Sequence, residues 1–246
     1  MIARLAGLLW VTCLFAVVPA LSARGRSRLE SHRRSRYRLY AAAAASLLGL
    51  GGATLALDLS GTPWGLRPLG AIPPPASFLG WTLGTFLALA VAWLARPLVR
   101  KLRGAPVGLG VSVIVPEASG EKVAFVGLVL VAGFVEEYVY RGFCLGLLRE
   151  ISGSAILAAL LSIAGFAAGH AYQGKKAFYR TAVAGAVLTV PVLATGSLLP
   201  SIVAHVAMDL MQGFRSREIL VSLRLAVPPA PTDEAARPVA EGGLDT

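Results

Sequence analysis

The chain has 246 residues, of which 56% are hydrophobic and only 15% are charged, and its mean hydropathy is +0.69. Soluble domains carry about 25% charged residues, so the composition excludes an ordinary soluble protein and indicates an integral membrane protein. The net charge of +10 would suit a nucleic-acid partner. We expect none, because the basic residues are confined almost entirely to loops between apolar segments.

Seven apolar segments follow one another along the chain. A helix that crosses about 30 Å of hydrocarbon needs roughly 20 apolar residues. The segments that approach this length are 2–22, 40–59, 77–95, 123–148, 154–172, 178–198 and 200–214, the last being the shortest. The sequence therefore predicts an all-α, polytopic transmembrane helix bundle of about seven spans.

The first apolar segment has a second interpretation as a signal peptide. Arg4 precedes it, and residues 20–22 resemble a cleavage site. The arginine-rich loop 24–38 would oppose export of the chain beyond it, so a retained helix is the better interpretation.

Most of the 23 Lys and Arg residues lie on alternate loops. These loops are 24–38, 96–122, 175–180 and 215–237. The intervening loops carry few basic residues, and the positive-inside rule then places the N-terminus outside and the C-terminus in the cytoplasm. Basic composition and compact size favour the inner (cytoplasmic) membrane of a bacterium.

Three regions can be distinguished within this single membrane bundle. Residues 1–122 are predicted to form the N-terminal transmembrane helices and their basic loops, and residues 123–214 form the core that carries the polar motifs. Residues 215–246 are predicted to be a cytoplasmic tail. From residue 227 onwards this tail is rich in Pro, Ala and acidic residues and has no apolar periodicity, which is typical of disorder.

The motif EEYVYR at 136–141 lies inside the apolar run 123–148. A carboxylate in hydrocarbon costs several kcal/mol, so two adjacent ones suggest a functional role. On a helix, Glu137 and Arg141 share a face and can pair, whereas Glu136 is turned away from Arg141. This arrangement leaves Glu136 as a candidate general base. The alternative is a structural ion cluster that packs helix against helix.

Two of the three histidines also lie in apolar segments. His170 ends FAAGH at 166–170, and His205 begins HVAMD at 205–209. Asp209 shares a helix face with His205 and is expected to orient it. Isolated polar groups in a membrane are costly, so we expect these residues to meet the acidic motif in one polar cavity. Straight spans would nevertheless hold Glu136, His170 and His205 at different depths.

Taken in this order and spacing, EEYVYR, FAAGH and HVAMD resemble the three signature motifs of the CPBP family. This family of membrane-embedded glutamic endopeptidases includes the CAAX prenyl proteases and bacteriocin-processing enzymes. The resemblance covers about residues 123–214. It implies an intramembrane peptide hydrolase without a cofactor.

The resemblance also implies a role for each motif residue. Glu136 would activate a water molecule with help from His170, and Glu137 and Arg141 would support and orient the site.

His205 and Asp209 would stabilise the tetrahedral oxyanion. The third family motif most often ends in Asn, and Asp209 can donate a hydrogen bond only when protonated. This departure leaves two roles open for Asp209, as a neutral donor or as a group that orients His205.

Other chemistry remains open from the sequence. Two histidines and a glutamate would suffice for a catalytic zinc, but no HExxH motif occurs, and the resemblance favours a metal-free mechanism. Cys13 and Cys144 are too far apart in sequence for a metal or redox signature. A transporter or adaptor that uses the buried charges structurally is the non-catalytic alternative.

The expected partners are the lipid bilayer and a membrane-tethered protein or peptide substrate. The resemblance admits prenylated C-termini, other C-terminal tags and bacteriocin-like precursors. In a bacterium a farnesylated substrate would be unexpected, so a C-terminal membrane anchor is the preferred prediction. The oligomeric state is not predicted.

Overall fold

A computed structural model describes residues 2–20, 36–103 and 115–222 of the chain. These residues are helical apart from short turns, and no strand occurs among them. Most of the arginine-rich loop, residues 21 and 22 of the possible cleavage site at 20–22, and the final residues 223–246 lie outside the described ranges. The all-α prediction is confirmed.

The described ranges contain nine α-helices. They are α1 (Ile2–Thr12), α2 (Arg36–Ser60), α3 (Leu66–Gly70), α4 (Pro75–Leu102), α5 (Ser119–Glu136), α6 (Leu145–Ser152), α7 (Ala155–Gly169), α8 (Lys175–Thr195) and α9 (Leu199–Ser222). Two π-helical segments, Cys13–Val17 and Glu137–Cys144, and a short 3-10 helix, Ala171–Gln173, complete the described structure.

Every predicted span coincides with a helix, and within the described ranges five helices are long and apolar enough to cross a membrane. These are Ile2–Ala20, Arg36–Ser60, Pro75–Leu102, Ser119–Ser152 and Lys175–Thr195. Helix α7 is apolar but has only 15 residues, a rise of about 22 Å. Helix α9 is not among the five. A multi-pass membrane protein is confirmed, whereas seven crossings stay a prediction.

Helix α9 is longer than the sequence predicted. The last span was expected to end at residue 214, but α9 continues to Ser222. The first eight residues of the predicted tail, 215–222, therefore extend the last helix. The interruption of the apolar pattern by Arg215 marks a change of polarity, which by itself does not end a helix.

The acidic motif lies where one long helix changes its winding. Residues Ser119–Ser152 run continuously over 34 residues, and the π-helical turn Glu137–Cys144 separates α5 from α6. Every residue of this π segment is buried. The hydroxyl of Ser162 in α7 donates to the carbonyl of Tyr140 at 2.6 Å, so a neighbouring helix pairs with the irregular backbone. Such π segments often occur at functional sites.

A tight hairpin brings α7 back along the continuous helix Ser119–Ser152, called the motif helix here. Gly153 ends α6 in the left-handed region (φ 65), and the Ser154 hydroxyl caps α7 by accepting from the Leu157 amide at 3.2 Å. Equal numbers of residues separate Gly153 from Glu136 and from His170. The side chains of Glu136 and His170 therefore lie at about the same level along the two antiparallel helices.

Helix α9 runs antiparallel to the motif helix. Gly196 ends α8 with φ 69 and lets the chain reverse into α9. Successive contacts then join Gly142 to Leu198, Glu137 to His205, Gly133 to Val206 and Phe125 to Gly213. This steady register places His205 opposite Glu137.

The N-terminal helices enclose this core. Helix α2 packs along α5, α3 packs on the π segment, and α4 packs against α8 and α9. The main hydrophobic cluster surrounds the π segment, where Phe143 and Leu147 are fully buried and Trp64 packs edge-on against Phe143 with ring centroids 5.5 Å apart.

The close approach of α6 to Trp64 can be tested by Gly146→Ala. A Cβ atom at position 146 would lie 2.9 Å from Trp64 Cβ and 3.1 Å from its carbonyl oxygen. Because backbone and Cβ atoms cannot swing away, we expect a loss of about 1–3 kcal/mol in stability, measured as a lower thermal unfolding midpoint in detergent. Gly127→Ala is the matched control, because nothing lies within 4 Å of its Cβ position. Equal midpoints for the two variants would contradict this packing.

Candidate active site

The predicted pair between Glu137 and Arg141 is present at the centre of the cluster. Arg141 Nη1 donates to Glu137 Oε1 at 3.0 Å, and the two side chains are 1% and 0% exposed. The guanidinium also lies over the ring of Phe166, 4.0 Å from its centroid. A charge this deeply buried must be paired, and here the pair lies within one π-helical segment.

His205 binds the same carboxylate oxygen. Its Nδ1 lies 2.9 Å from Glu137 Oε1, so Nδ1–H is the donor. The spacing in the third motif predicted that Asp209 would orient this imidazole. Asp209 Oδ2 instead lies 3.6 Å from His205 Nε2, beyond hydrogen-bonding distance. The register of α9 against the motif helix, which spacing within α9 cannot reveal, brings Glu137 to Nδ1.

His170 follows the last residue of α7, where the helix ends. Its Nδ1 lies 2.9 Å from the carbonyl oxygen of Phe166 and donates to it. In the neutral ring, Nε2 is therefore the unprotonated nitrogen. This nitrogen lies 3.9 Å from Glu136 Oε1.

Glu136 is flanked by the two imidazoles. Its Oε2 lies 3.9 Å from His205 Nε2, and its side chain is 14% exposed. A separation of 3.9 Å is too long for a direct hydrogen bond but suits a water molecule between the two groups. Glu136 therefore combines limited access from outside with two imidazole nitrogens at bridging distance.

The six residues predicted from the motifs lie in one cluster. They are Glu136, Glu137, Arg141, His170, His205 and Asp209. Counting along straight spans placed Glu136 and the two histidines at different depths, whereas in the structure both imidazoles lie 3.9 Å from the Glu136 carboxylate. Helix α7 is too short to carry His170 far from the level of Glu136, and α9 begins only six residues before His205.

Some polar atoms of the cluster lack a hydrogen-bond partner within the described residues. Glu137 Oε2 and Arg141 Nη2 are both buried and unpartnered. A Cβ atom on Gly185 of α8 would lie 3.3 Å from Arg141 Nη2, so the helix backbone closes over the guanidinium. Buried polar atoms of this kind are commonly satisfied by ordered water. No group of three or more His, Cys, Asp or Glu side chains with metal-binding spacing occurs in the described ranges.

Phe166, which packs on the site, and Asp58, a buried acid that binds the neighbouring Tyr138, were not predicted from the sequence. The Phe166 ring packs edge-on against His170 and His205, with centroids 4.8 and 6.5 Å apart. Its position four residues before His170 was the available signal. Asp58 is 1% exposed and accepts a hydrogen bond from the Tyr138 hydroxyl at 2.8 Å. The signal for Asp58 was a lone acid near the end of an apolar span.

Comparison with known proteins gives one family match. Residues 119–211 match the family model described as type II CAAX prenyl endopeptidase Rce1-like. This region covers less than half of the chain but contains all three motifs. No curated protein and no solved structure matches the chain. Over residues 119–211 the match supports the family resemblance of the three motifs, and the family that it describes is one of CAAX-type intramembrane proteases.

Proposed function

We propose that this chain is a glutamic-type intramembrane endopeptidase. It hydrolyses a peptide bond near the C-terminus of a membrane-associated substrate by means of a water molecule activated by Glu136. The observation that carries the proposal is the position of the Glu136 carboxylate, whose two oxygens each lie 3.9 Å from an imidazole Nε2, one of His170 and one of His205.

A water molecule between Glu136 and His170 would meet two acceptors. The His170 Nδ1 proton is used by the Phe166 carbonyl, so Nε2 accepts one water proton and Glu136 Oε1 accepts the other. Both water protons then point into the protein, and the oxygen lone pairs face outward towards a substrate carbonyl. Glu136 removes its proton as the oxygen attacks the carbonyl carbon.

The attack forms a C–O bond and places negative charge on the former carbonyl oxygen. His205, protonated on both nitrogens, donates from Nε2 to this oxyanion while Nδ1–H remains bonded to Glu137. The Glu137 carboxylate stabilises the imidazolium and is itself balanced by Arg141. When the intermediate collapses, the C–N bond breaks and Glu136 returns its proton to the leaving amine. The products are a carboxylic acid and a free amine.

The membrane setting supports a tethered substrate. The site lies among apolar helices, and the ends of α4 and α8 that face the basic loops carry Arg100, Lys101, Lys175 and Lys176. By the positive-inside rule this end is cytoplasmic, with the N-terminus outside and the multi-pass chain in the inner membrane. A protein or peptide held in that membrane by a C-terminal anchor is the substrate class that we propose.

Glu136→Gln tests the mechanism directly. Removing the base should lower cleavage of membrane-tethered C-terminal tag reporters by at least about 100-fold, because general-base catalysis contributes about 10²–10⁴-fold. Glu218→Gln is the matched control, since Glu218 is exposed and pairs only with Arg215 among the described residues. Cleavage would be measured by mass spectrometry of reporters in liposomes.

The same assay is repeated with a zinc chelator. A glutamate-activated water requires no metal, so we expect the chelator to leave cleavage unchanged. Inhibition by the chelator that added zinc reverses would replace the proposed mechanism with zinc catalysis. Full activity of Glu136→Gln would exclude Glu136 as the base.

We expect substitutions of Glu136 and Glu137 to differ in their effect on stability. Glu137→Gln leaves Arg141 buried without its counter-charge, and breaking such a buried pair costs about 3–5 kcal/mol. Glu136→Gln removes no close contact and should shift the thermal unfolding midpoint little. If Glu136→Gln destabilised the protein as much as Glu137→Gln, both acids would be parts of a structural ion cluster.

Asp209→Asn tests the departure in the third motif. Asp209 makes no direct hydrogen bond to His205, and an Asn amide would supply an N–H donor near the proposed oxyanion. We expect the cleavage rate of Asp209→Asn to be within about threefold of that of the unchanged protein, or higher. The rate of Asp209→Leu should fall at least about tenfold, because leucine has no polar group. Loss in Asp209→Asn equal to that in Asp209→Leu would show that the negative charge itself is required.

A further inference from the structure

The segment Asp58 to Ala71 runs from the end of α2 to the turn before α4. It contacts the motif helix and the two residues that lead into α9, the helices that carry the central hydrogen bond of the site. We propose that this segment, called the brace here, fixes the register of the motif helix against α9, and that Asp58 is its positioning residue. The predicted effect on catalysis rests on the proposed function. The effect on helix register does not.

One end of the brace is held by a buried carboxylate. Asp58 accepts from the amides of Gly65 and Leu66, each at 2.9 Å to Oδ2, and from the hydroxyl of Tyr138 at 2.8 Å. The amides are donors near the start of α3, where a carboxylate is favourably placed. Tyr138 directly follows Glu137 in the chain. The carboxylate therefore joins the brace to the residue beside the central acid.

The brace also touches the π segment through backbone atoms. A Cβ atom on Gly65 would lie 2.7 Å from Tyr138 Cε2 and 2.8 Å from Asp58 Oδ2. A Cβ atom on Gly142 would lie 3.0 Å from Gly65 Cα. The two glycines permit a contact that larger residues would prevent, and such a contact fixes helix position closely.

The other end of the brace binds the start of α9. The Pro68 carbonyl accepts from the Leu198 amide at 3.0 Å, and the Ala71 carbonyl accepts from the Ser197 hydroxyl at 2.6 Å. The Ser197 hydroxyl oxygen in turn accepts from the Leu199 amide at 3.2 Å. These bonds fix the position at which α9 begins, and so the height of the side chains that it carries.

The two ends of the brace lie on the same side of the catalytic cluster. Tyr138 is next to Glu137 on one helix, and Leu198 lies about two turns before His205 on the other. A shift of about 1 Å between these helices would break the 2.9 Å bond from His205 to Glu137, and misplacement of this size can cost about 100-fold in rate. The brace lies outside the matched region 119–211, so a part of the chain without family motifs sets the geometry of the site.

The first test compares Asp58→Asn and Tyr138→Phe with Tyr179→Phe. Tyr179 is 69% exposed, so its variant makes the same chemical change away from the site. For the first two variants we expect kcat to fall at least about tenfold with KM nearly unchanged, because substrate still binds but His205 is misplaced. Their double variant should show little further loss, since both changes break one contact. Tyr179→Phe should behave as the unchanged protein does.

The second test reads helix register without any substrate. In Gly133→Cys with Val206→Cys, the introduced Cβ at position 133 would lie 3.6 Å from Cβ of residue 206, within the disulfide range of about 3.5–4.5 Å. Oxidation should join the two cysteines, identified by mass spectrometry of the linked peptides with Cys13 and Cys144 retained. Adding Asp58→Asn should slow this cross-link at least about threefold, and adding Tyr179→Phe should not.

The outcomes separate the brace from the proposed function. Slower cross-linking in Asp58→Asn supports the brace whether or not the unchanged protein cleaves a reporter. Absence of reporter cleavage would count against the proposed function and not against the brace. Unchanged cross-linking and unchanged kcat overturn the brace. A lower thermal unfolding midpoint with kcat and cross-linking intact also overturns it, because Asp58 would then serve stability without positioning the site.

Discussion

The interaction on which the rest of the structure depends is the shared use of one carboxylate oxygen, Glu137 Oε1. Arg141 Nη1 donates to it at 3.0 Å and His205 Nδ1 at 2.9 Å, so it joins the motif helix to α9. Neither charge of the buried pair could remain without the other at this depth. Because the same oxygen also binds His205 Nδ1, the ion pair and the orientation of His205 depend on the position of one atom.

This arrangement demands helix lengths that an ordinary membrane bundle would not have. A 34-residue helix carries the acids near its middle, and a 15-residue helix returns from its end to place His170 beside Glu136. The π segment adds a local change of winding, and Ser162 pairs with its Tyr140 carbonyl. In a medium without water, such irregular backbone is tolerated only where protein groups satisfy it. The short helix and the irregular turn are therefore linked features of one site.

Whether an interaction could be predicted from the sequence depends on how far apart its residues lie along the chain. Spacing within one helix predicted the pair of Glu137 with Arg141, and apolar run lengths predicted all the long helices. Spacing within α9 also predicted that Asp209 lies beside His205, and the two groups are 3.6 Å apart. The hydrogen bond of His205 to Glu137 was not predicted, because it depends on the register between two helices. The role of Asp58 was not predicted for the same reason, because its partners lie in a turn and in a helix distant in sequence.

Exposure also distinguishes the two adjacent acids in a way that spacing alone does not. The Glu137 side chain is 0% exposed, and its Oε1 already accepts from Arg141 and His205, so this carboxylate is inaccessible from outside and is held in the ion pair. Glu136 is 14% exposed and holds both oxygens at bridging distance from imidazoles, and Asp209, at 36%, lies on the open side of His205. Access therefore increases from the ion pair outward. Glu136 is thus more accessible to water than Glu137, and this difference supports the proposal that Glu136 is the group that transfers the proton.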